Sequence, residues 1–409
     1  MLQKRILIGA FTAVLLQANI AEAQLISQSD KAQQVQLNTI TTAVPFLMIA
    51  PDSRSGAMGD AGVALSPDAN SVHWNMSKLC FSEKPMEFSV SYSPWLRSLV
   101  NDMSLSYLSG YKKLDKNRAV GGSMRYFSLG NITFTDEYGT SIRDFTPAEF
   151  ALDLGVSQKL SKNFGVGFTG RFVNSNLKGS TNIQGAESKP GRTGAVDISS
   201  FYTNQDLRFK GKKIGVNAGI NISNIGAKMR YTNTANRDFI PTNLRLGTAV
   251  TTHLDDYNKI TFTLDLNKLL VPTPPIYNGD TLVSGYDRNV GVASGIIQSF
   301  YDAPGQLDNN NQVVSGSIGR EELREINFGG GMEYWYADQF AVRAGYFYED
   351  LTKGNRQFIT LGAGLKYQVL TIDMSYLVST TQQNPLANTL RFSLRFAVGD
   401  KSNDEEPTE

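Results

Sequence analysis

From about residue 86 to residue 398, apolar side chains recur at every second position, and few folds accept that period over such a length. Leu390, Phe392, Leu394 and Phe396 alternate with Arg391, Ser393 and Arg395. Leu370, Ile372, Met374 and Tyr376 alternate with Thr371, Asp373 and Ser375, and Ile260, Phe262, Leu264 and Leu266 with Thr261, Thr263 and Asp265. A chain in which successive residues point to opposite faces is a β-strand with one apolar side. Such runs lie near 86–93, 101–113, 117–128, 148–160, 162–174, 192–204 and 212–224. They continue near 242–254, 258–268, 324–336, 338–349, 356–367, 368–378 and 388–398.

That makes about 14 strands, mostly of 10–13 residues. Strands of soluble domains average about 5–6 residues, whereas about 9–11 cross a bilayer at a tilt. The predicted fold class is therefore all-β, a transmembrane antiparallel barrel. Short connections at 114–116, 161, 255–257 and 337 follow even-numbered strands. Long ones at 129–147, 175–191, 225–241 and 269–323 follow odd-numbered strands. Outer-membrane barrels keep short turns in the periplasm and long loops outside, so both termini are expected on the periplasmic side. The polar face carries Arg125, Asp153, Arg171, Asp197, Arg245, Asp265, Glu333, Arg343, Asp373, Arg391 and Arg395. A watered lumen is the expected place for them. Tyr334, Trp335, Tyr336, Tyr346 and Tyr348 read as an interfacial aromatic girdle.

The amino terminus supplies the address. Lys4-Arg5, an apolar run from Ile6 to Leu16 and Ala21-Glu22-Ala23 before Gln24 are laid out as a secretory signal peptide, residues 1–23. Residues 24–85 lack the two-residue period and are expected to fold into the lumen as a plug, because a barrel this wide is not filled by its own side chains. The barrel itself takes 86–398, and the acidic stretch 399–409 reads as a periplasmic tail. The segment 290–300 reads as a short helix with Val292, Ile296, Ile297 and Phe300 on one face.

Several chemistries are disfavoured. Lys plus Arg number 39 against 38 Asp plus Glu, which leaves no basic excess for nucleic acid. One cysteine, Cys80, and two histidines, His73 and His253, supply neither a disulfide framework nor a thiolate metal site. Neither histidine lies in a nucleophile–base motif, so no catalytic residue, metal or cofactor is assigned. The glycine spacing Gly165-x-Gly167-x-x-Gly170 matches a dinucleotide turn, but it lies in the middle of a strand rather than between strand and helix. Gly329-Gly330-Gly331 is likewise within a strand, where a bend, a bulge or room for a plug accounts for it.

The stretch from Pro45 to Leu79, PFLMIAPDSRSGAMGDAGVALSPDANSVHWNMSKL, closely resembles the amino-terminal signature of the PorV family, outer-membrane barrels of the type IX secretion system. These belong to the wider fatty-acid-transporter-like (FadL-like) barrels, whose amino-terminal segments form a hatch. Asp52, Arg54, Gly56, Met58, Gly59, Asp60, Gly62, Asp68, Ala69, Trp74 and Asn75 carry the resemblance. Where the wider group often has Asn-Pro-Ala, this chain has Asn75-Met76-Ser77. The resemblance implies a non-enzymatic shuttle in the cell outer membrane. It would bind the C-terminal signal domain of cargo at a giant translocon barrel and pass it to a surface attachment complex containing a sortase-like protease. By elimination, the binding surface falls to the long loops, with Phe134, Tyr138, Phe145, Tyr231, Phe239, Tyr277 and Phe300 as candidate anchors. Outer-membrane lipid, including lipopolysaccharide, is the other expected neighbour. The alternative is a passive channel for long-chain fatty acids or other hydrophobic small molecules.

Overall fold

A computed structural model describes residues 37–96, 102–135, 138–177, 182–183, 186–187, 189–231, 237–308, 310, 312–380 and 388–399. The signal-peptide assignment and the acidic tail from 400 onward lie outside the described residues.

Fourteen antiparallel strands close into a barrel. In chain order they are β1 (Met86–Pro94), β2 (Met103–Lys113), β3 (Arg118–Leu129), β4 (Ala148–Lys159), β5 (Phe164–Asn176), β6 (Gly191–Phe209) and β7 (Lys212–Gly226). β8 (Asn243–His253), β9 (Asn258–Leu269), β10 (Ile326–Tyr336), β11 (Phe340–Tyr348), β12 (Gln357–Tyr367), β13 (Leu370–Ser379) and β14 (Thr389–Val398) complete it. Each strand pairs with its sequence neighbour, and β1 meets β14 from Met86↔Val398 to Tyr92↔Phe392, which removes both sheet edges. Alternation is realised as expected on β13: Thr371, Asp373, Ser375 and Leu377 are buried, while Ile372, Met374, Tyr376 and Val378 face outward. No helix among the described residues is long and apolar enough to cross a membrane.

Local chemistry closes the short turns. The Asp115 carboxylate accepts from the backbone N–H of Asn117 and Arg118, and Asp255 does the same for Tyr257 and Asn258. The β6–β7 hairpin runs longer than the expected 192–204 and 212–224. A register shift between Asn204 and Leu207 lets the ladder continue to a two-residue turn at Lys210-Gly211, both at positive φ. On the opposite rim, small hairpins at Ile132–Thr135/Ser141–Phe145 and Ile276–Asn278/Thr281–Ser284 and two helices, Val292–Gln298 and Ser317–Arg324, build the outer loops.

Residues 37–85 fill the lumen, as a plug should, but they enter it from the outer side. Asn38 donates its backbone N–H to the Thr352 carbonyl in the β11–β12 loop, and Ala43 donates to the Phe239 carbonyl in the β7–β8 loop. At the other end, Lys113, next to a short turn, donates to the Pro85 carbonyl. The mature amino terminus, expected on the periplasmic side, lies outside the described residues, which begin partway into the plug. The plug's first described residues lie among the outer loops, and the segment descends through the barrel to reach β1.

The watered lumen is corrected. All eleven charged residues expected in water are buried. The plug supplies partners and excludes solvent, so these charges meet protein. Trp335 also leaves the proposed girdle. It is buried on the inward face of β10, with the Arg343 guanidinium 5.5 Å from its ring centre, whereas Tyr336 and Tyr346 face outward.

Candidate functional site

The plug is short on regular structure. A 3₁₀ turn at Pro45–Met48, single helical turns at Ser53–Gly56 and Ser71–Trp74, and a 3₁₀ turn at Met76–Phe81 are joined by irregular chain. Such backbone is stable at membrane depth only where protein satisfies its polar groups. The barrel wall does so. Asp265 on β9 accepts from the N–H of Gly62 (2.7 Å) and Val63 (2.9 Å). Thr360 on β12 accepts from Gly59 N–H, Glu87 on β1 from Ala69 N–H, and Ser157 on β4 from Cys80 N–H.

A closed ring of alternating charges joins plug and wall. Arg54 donates two bonds to Glu333, at 3.0 and 2.9 Å. Glu333 accepts from Arg343 at 2.7 Å, and Arg343 donates to Asp373 at 2.7 Å. Asp373 accepts from Arg395 at 3.0 Å, Arg395 lies 3.5 Å from Asp68, and Asp68 accepts from Arg54 at 3.0 Å. Three guanidinium groups and three carboxylates thus balance inside a desolvated space. Two of the six belong to the plug, and the others to β10, β11, β13 and β14. Removing one partner from a buried pair strands the remaining charge and costs about 3–5 kcal/mol.

The other motif residues take up supporting positions. The Asp52 carboxylate caps the turn at Ser55 N–H and accepts from the Trp74 indole at 2.6 Å. Trp74 is fully buried, and the Arg245 guanidinium lies 4.7 Å from its ring centre. Asn75 donates to the carbonyls of Val63 and Ser200, and Asp60 accepts from Arg391 at 3.0 Å. Gly56 lies against the Arg391 side chain and Gly62 against the Trp74 ring, each without room for a Cβ. Gly59, at φ +70°, and Met58 press on the wall where Gly329, Gly331 and Gly345 leave space. Of the three explanations for the triple glycine, room for the plug is the one realised. Gly165 and Gly167 have the same use, under Phe81, Cys80 and the Met76–Ser77 backbone.

His73 is buried beside Arg125, whose guanidinium donates to its Nδ1 at 2.6 Å. Arg125 also donates to the carbonyls of Phe46 and Leu47. Among the described residues, no group of three His, Cys, Asp or Glu side chains could hold a metal ion.

The expected loop anchors fall into two sets. Tyr138, Tyr277 and Phe300 are exposed on the outer rim. Phe134 and Phe145 are half-buried, 6.4 Å apart, with the Arg143 guanidinium over both rings. Tyr231 is half-buried and donates its hydroxyl to Ser175. Phe239 is buried and is unavailable as an anchor, because its ring packs beneath the helix Val292–Gln298 at Gly295. That helix has formed, but its apolar stripe is split. Val292 and Ile296 are half-buried, whereas Ile297 and Phe300 face outward, because Phe239 needs the backbone at Gly295. Tyr286 and Tyr301, not singled out from the sequence, stack edge-on at 5.6 Å and extend the exposed apolar surface.

Residues 31–276 match the family described as Type IX secretion system protein PorV. The chain belongs to that family. It is accordingly a non-catalytic outer-membrane component of the type IX secretion system, as the PorV-type motif from Pro45 to Leu79 leads one to expect. Solved structures similar to this PorV-family barrel include the Ralstonia pickettii toluene transporter TbuX, at 11% identity and TM-score 0.47, over 85% of this chain and 98% of that one. A Pseudomonas aeruginosa FadL homologue is 12% identical, with TM-score 0.41, over 89% of this chain and 100% of that one. The P. putida toluene transporter TodX is 12% identical, with TM-score 0.44, over 85% and 99%. No curated protein matches the chain.

Proposed function

We propose that this PorV-family barrel is a shuttle. Its outer loops bind the C-terminal signal domain of secreted cargo as it leaves the giant translocon barrel, and carry it to a surface attachment complex containing a sortase-like protease. The observation that carries this reading is the division of labour between lumen and rim. The lumen is closed by a plug held in a buried charge ring, so transport through it is opposed, while Tyr277, Tyr286, Ile297, Phe300 and Tyr301 stand exposed on one ordered loop layer. Large aromatic side chains on a rigid support are the usual anchors of a protein interface. A channel for hydrophobic molecules would have to route an apolar path past the Arg54–Glu333–Arg343–Asp373 array.

The test is capture by the detergent-solubilised protein of a purified cargo C-terminal domain, with mass spectrometry of co-purifying outer-membrane proteins. Wild type should retain the domain and the translocon barrel, and the triple change Tyr277→Ala/Phe300→Ala/Tyr301→Ala should weaken capture at least tenfold. Failure of wild type to retain either partner would overturn the proposal.

A further inference from the structure

On the outer rim, where β6 begins and the chain leaves β7, a concave pocket of about 450 Å³ is lined by Lys189, Arg192, Lys228, Arg230 and Arg237, and among the described residues no acidic side chain lines it. The fold holds these cations close together. Lys189 N–H donates to the Tyr231 carbonyl at 3.0 Å, and the pairing of Met229 with Asp238 brings Arg230 and Arg237 to the same short ladder. The Arg192 side chain is fixed by donation to Asn174 at 3.1 Å, and Lys228 lies 4.0 Å from the Phe239 ring centre.

Arg192, Arg230 and Arg237 place three guanidinium charges around one cavity, and these repel one another unless a counter-charge is supplied. On the opposite rim, Arg118, Lys162 and Lys259 each pair with a carboxylate of the chain, Asp115, Asp206 and Asp338. Among the described residues, Arg230 and Arg237 form no ion pair. Partial burial and the nearby Arg288 push the Lys228 ammonium below its ordinary range, against the opposing pull of Asp238 and Asp287, so the arginines carry the uncompensated charge.

Height in the membrane identifies the counter-charge. Arg192 faces outward on β6, and ten residues further on Tyr202 faces outward beside Phe164 at the periplasmic end. At about 3.3 Å per residue and a tilt near 40°, ten residues rise about 25 Å, the height of a barrel's apolar band. The pocket therefore sits where hydrocarbon gives way to headgroups, above the outward Val196 and Ile198. Arginine forks match phosphate oxygens two at a time.

We infer that this pocket is a docking site for the phosphorylated headgroup of an outer-leaflet lipid, whose acyl chains lie down the outward face of β6 and β7. The test uses the full-length protein in detergent and native mass spectrometry. The probes are phosphorylated lipid A, the same lipid A stripped of phosphate, and inorganic phosphate. Phosphorylated lipid A should stay bound to wild type. Retention should fall at least tenfold for the stripped lipid and for Arg192→Gln/Arg230→Gln/Arg237→Gln, and inorganic phosphate at equal concentration should not displace the lipid. The matching triple change to lysine should keep most of the binding, and heat-modifiable gel mobility confirms that each variant folds. Equal retention of stripped lipid, or unchanged retention by the glutamine variant, overturns the assignment. So does displacement of the lipid by inorganic phosphate or by a cargo C-terminal domain.

Discussion

Arg54 and Glu333, 279 residues apart, meet through two parallel hydrogen bonds inside the barrel, and this pair fastens the plug to β10. The fork matters as much as the charge, because Arg54 has a third contact, to Asp68, that passes the constraint on to Arg395. Changing Arg54 to alanine should cost about 3–5 kcal/mol by leaving Glu333 and Asp68 short of a partner. Lysine should restore little, since an ammonium cannot make the same fork. The temperature at which the barrel loses its compact gel mobility measures this, and a variant as heat-resistant as wild type would remove the ring from the account.

How much of this was legible in the sequence depends on the range over which each residue acts. Alternation along Leu370–Ser379 is a local property, so strand count and facing could be read directly. The short turns announced themselves through Asp115 and Asp255. The ring did not, because alternation says only that Glu333, Arg343 and Asp373 point inward, not that Arg54 and Asp68 arrive there. The two-residue period assigns water as the partner of those charges, and only the folded plug replaces it. The direction of the plug was equally hidden, since it rests on contacts such as Asn38 with Thr352, remote in sequence. The motif residues from Asp52 to Asn75 could be recognised as a set, while their tasks as cap, fork and spacer appear only in three dimensions.

The triple glycine offers a second route to the plug. A Cβ at Gly331 would lie 2.6 Å from Met58 Cα, a backbone atom that cannot step aside. Gly331→Leu should displace the plug at a cost of at least about 1–3 kcal/mol, the usual range for overpacking. Cells carrying it should take up a large antibiotic normally excluded by the outer membrane several-fold faster than wild type. Gly330→Leu, whose side chain faces outward, should not, and equal uptake by both variants would disprove the fit.

The outward start of the plug is open to chemical labelling. Leu37 is exposed among the outer loops, Leu114 is exposed at a short turn, and the single native cysteine, Cys80, is buried. A membrane-impermeant maleimide added to intact cells should label Leu37→Cys and leave Leu114→Cys and wild type unlabelled. Labelling of Leu114→Cys alone would reverse the assigned direction.

One outer-loop carboxyl makes the rim sensitive to pH. Burial raises Asp302 to about 6, against the backbone N–H of Thr273 and the Gln298 amide that favour its charge. The folded loop thus holds a proton that the unfolded loop releases, so its stability is greatest below the unfolded value and declines as pH rises through about 6. Corrected hydrogen exchange across 269–325 should show more protection at pH 5 than at pH 7.5. Asp302→Asn should flatten that difference, and an unchanged difference would assign the effect to another group.

The central claim is that cargo is held by the outer loops of a barrel whose lumen stays closed. Photo-crosslinking amino acids placed at Tyr138, Tyr277 and Phe300, and for comparison at Leu114 and Tyr257 on the periplasmic turns, test it in living cells. The account predicts adducts with cargo C-terminal domains from the three loop positions and none from the two turns. Cargo adducts from the turn positions, with none from the loops, would contradict it.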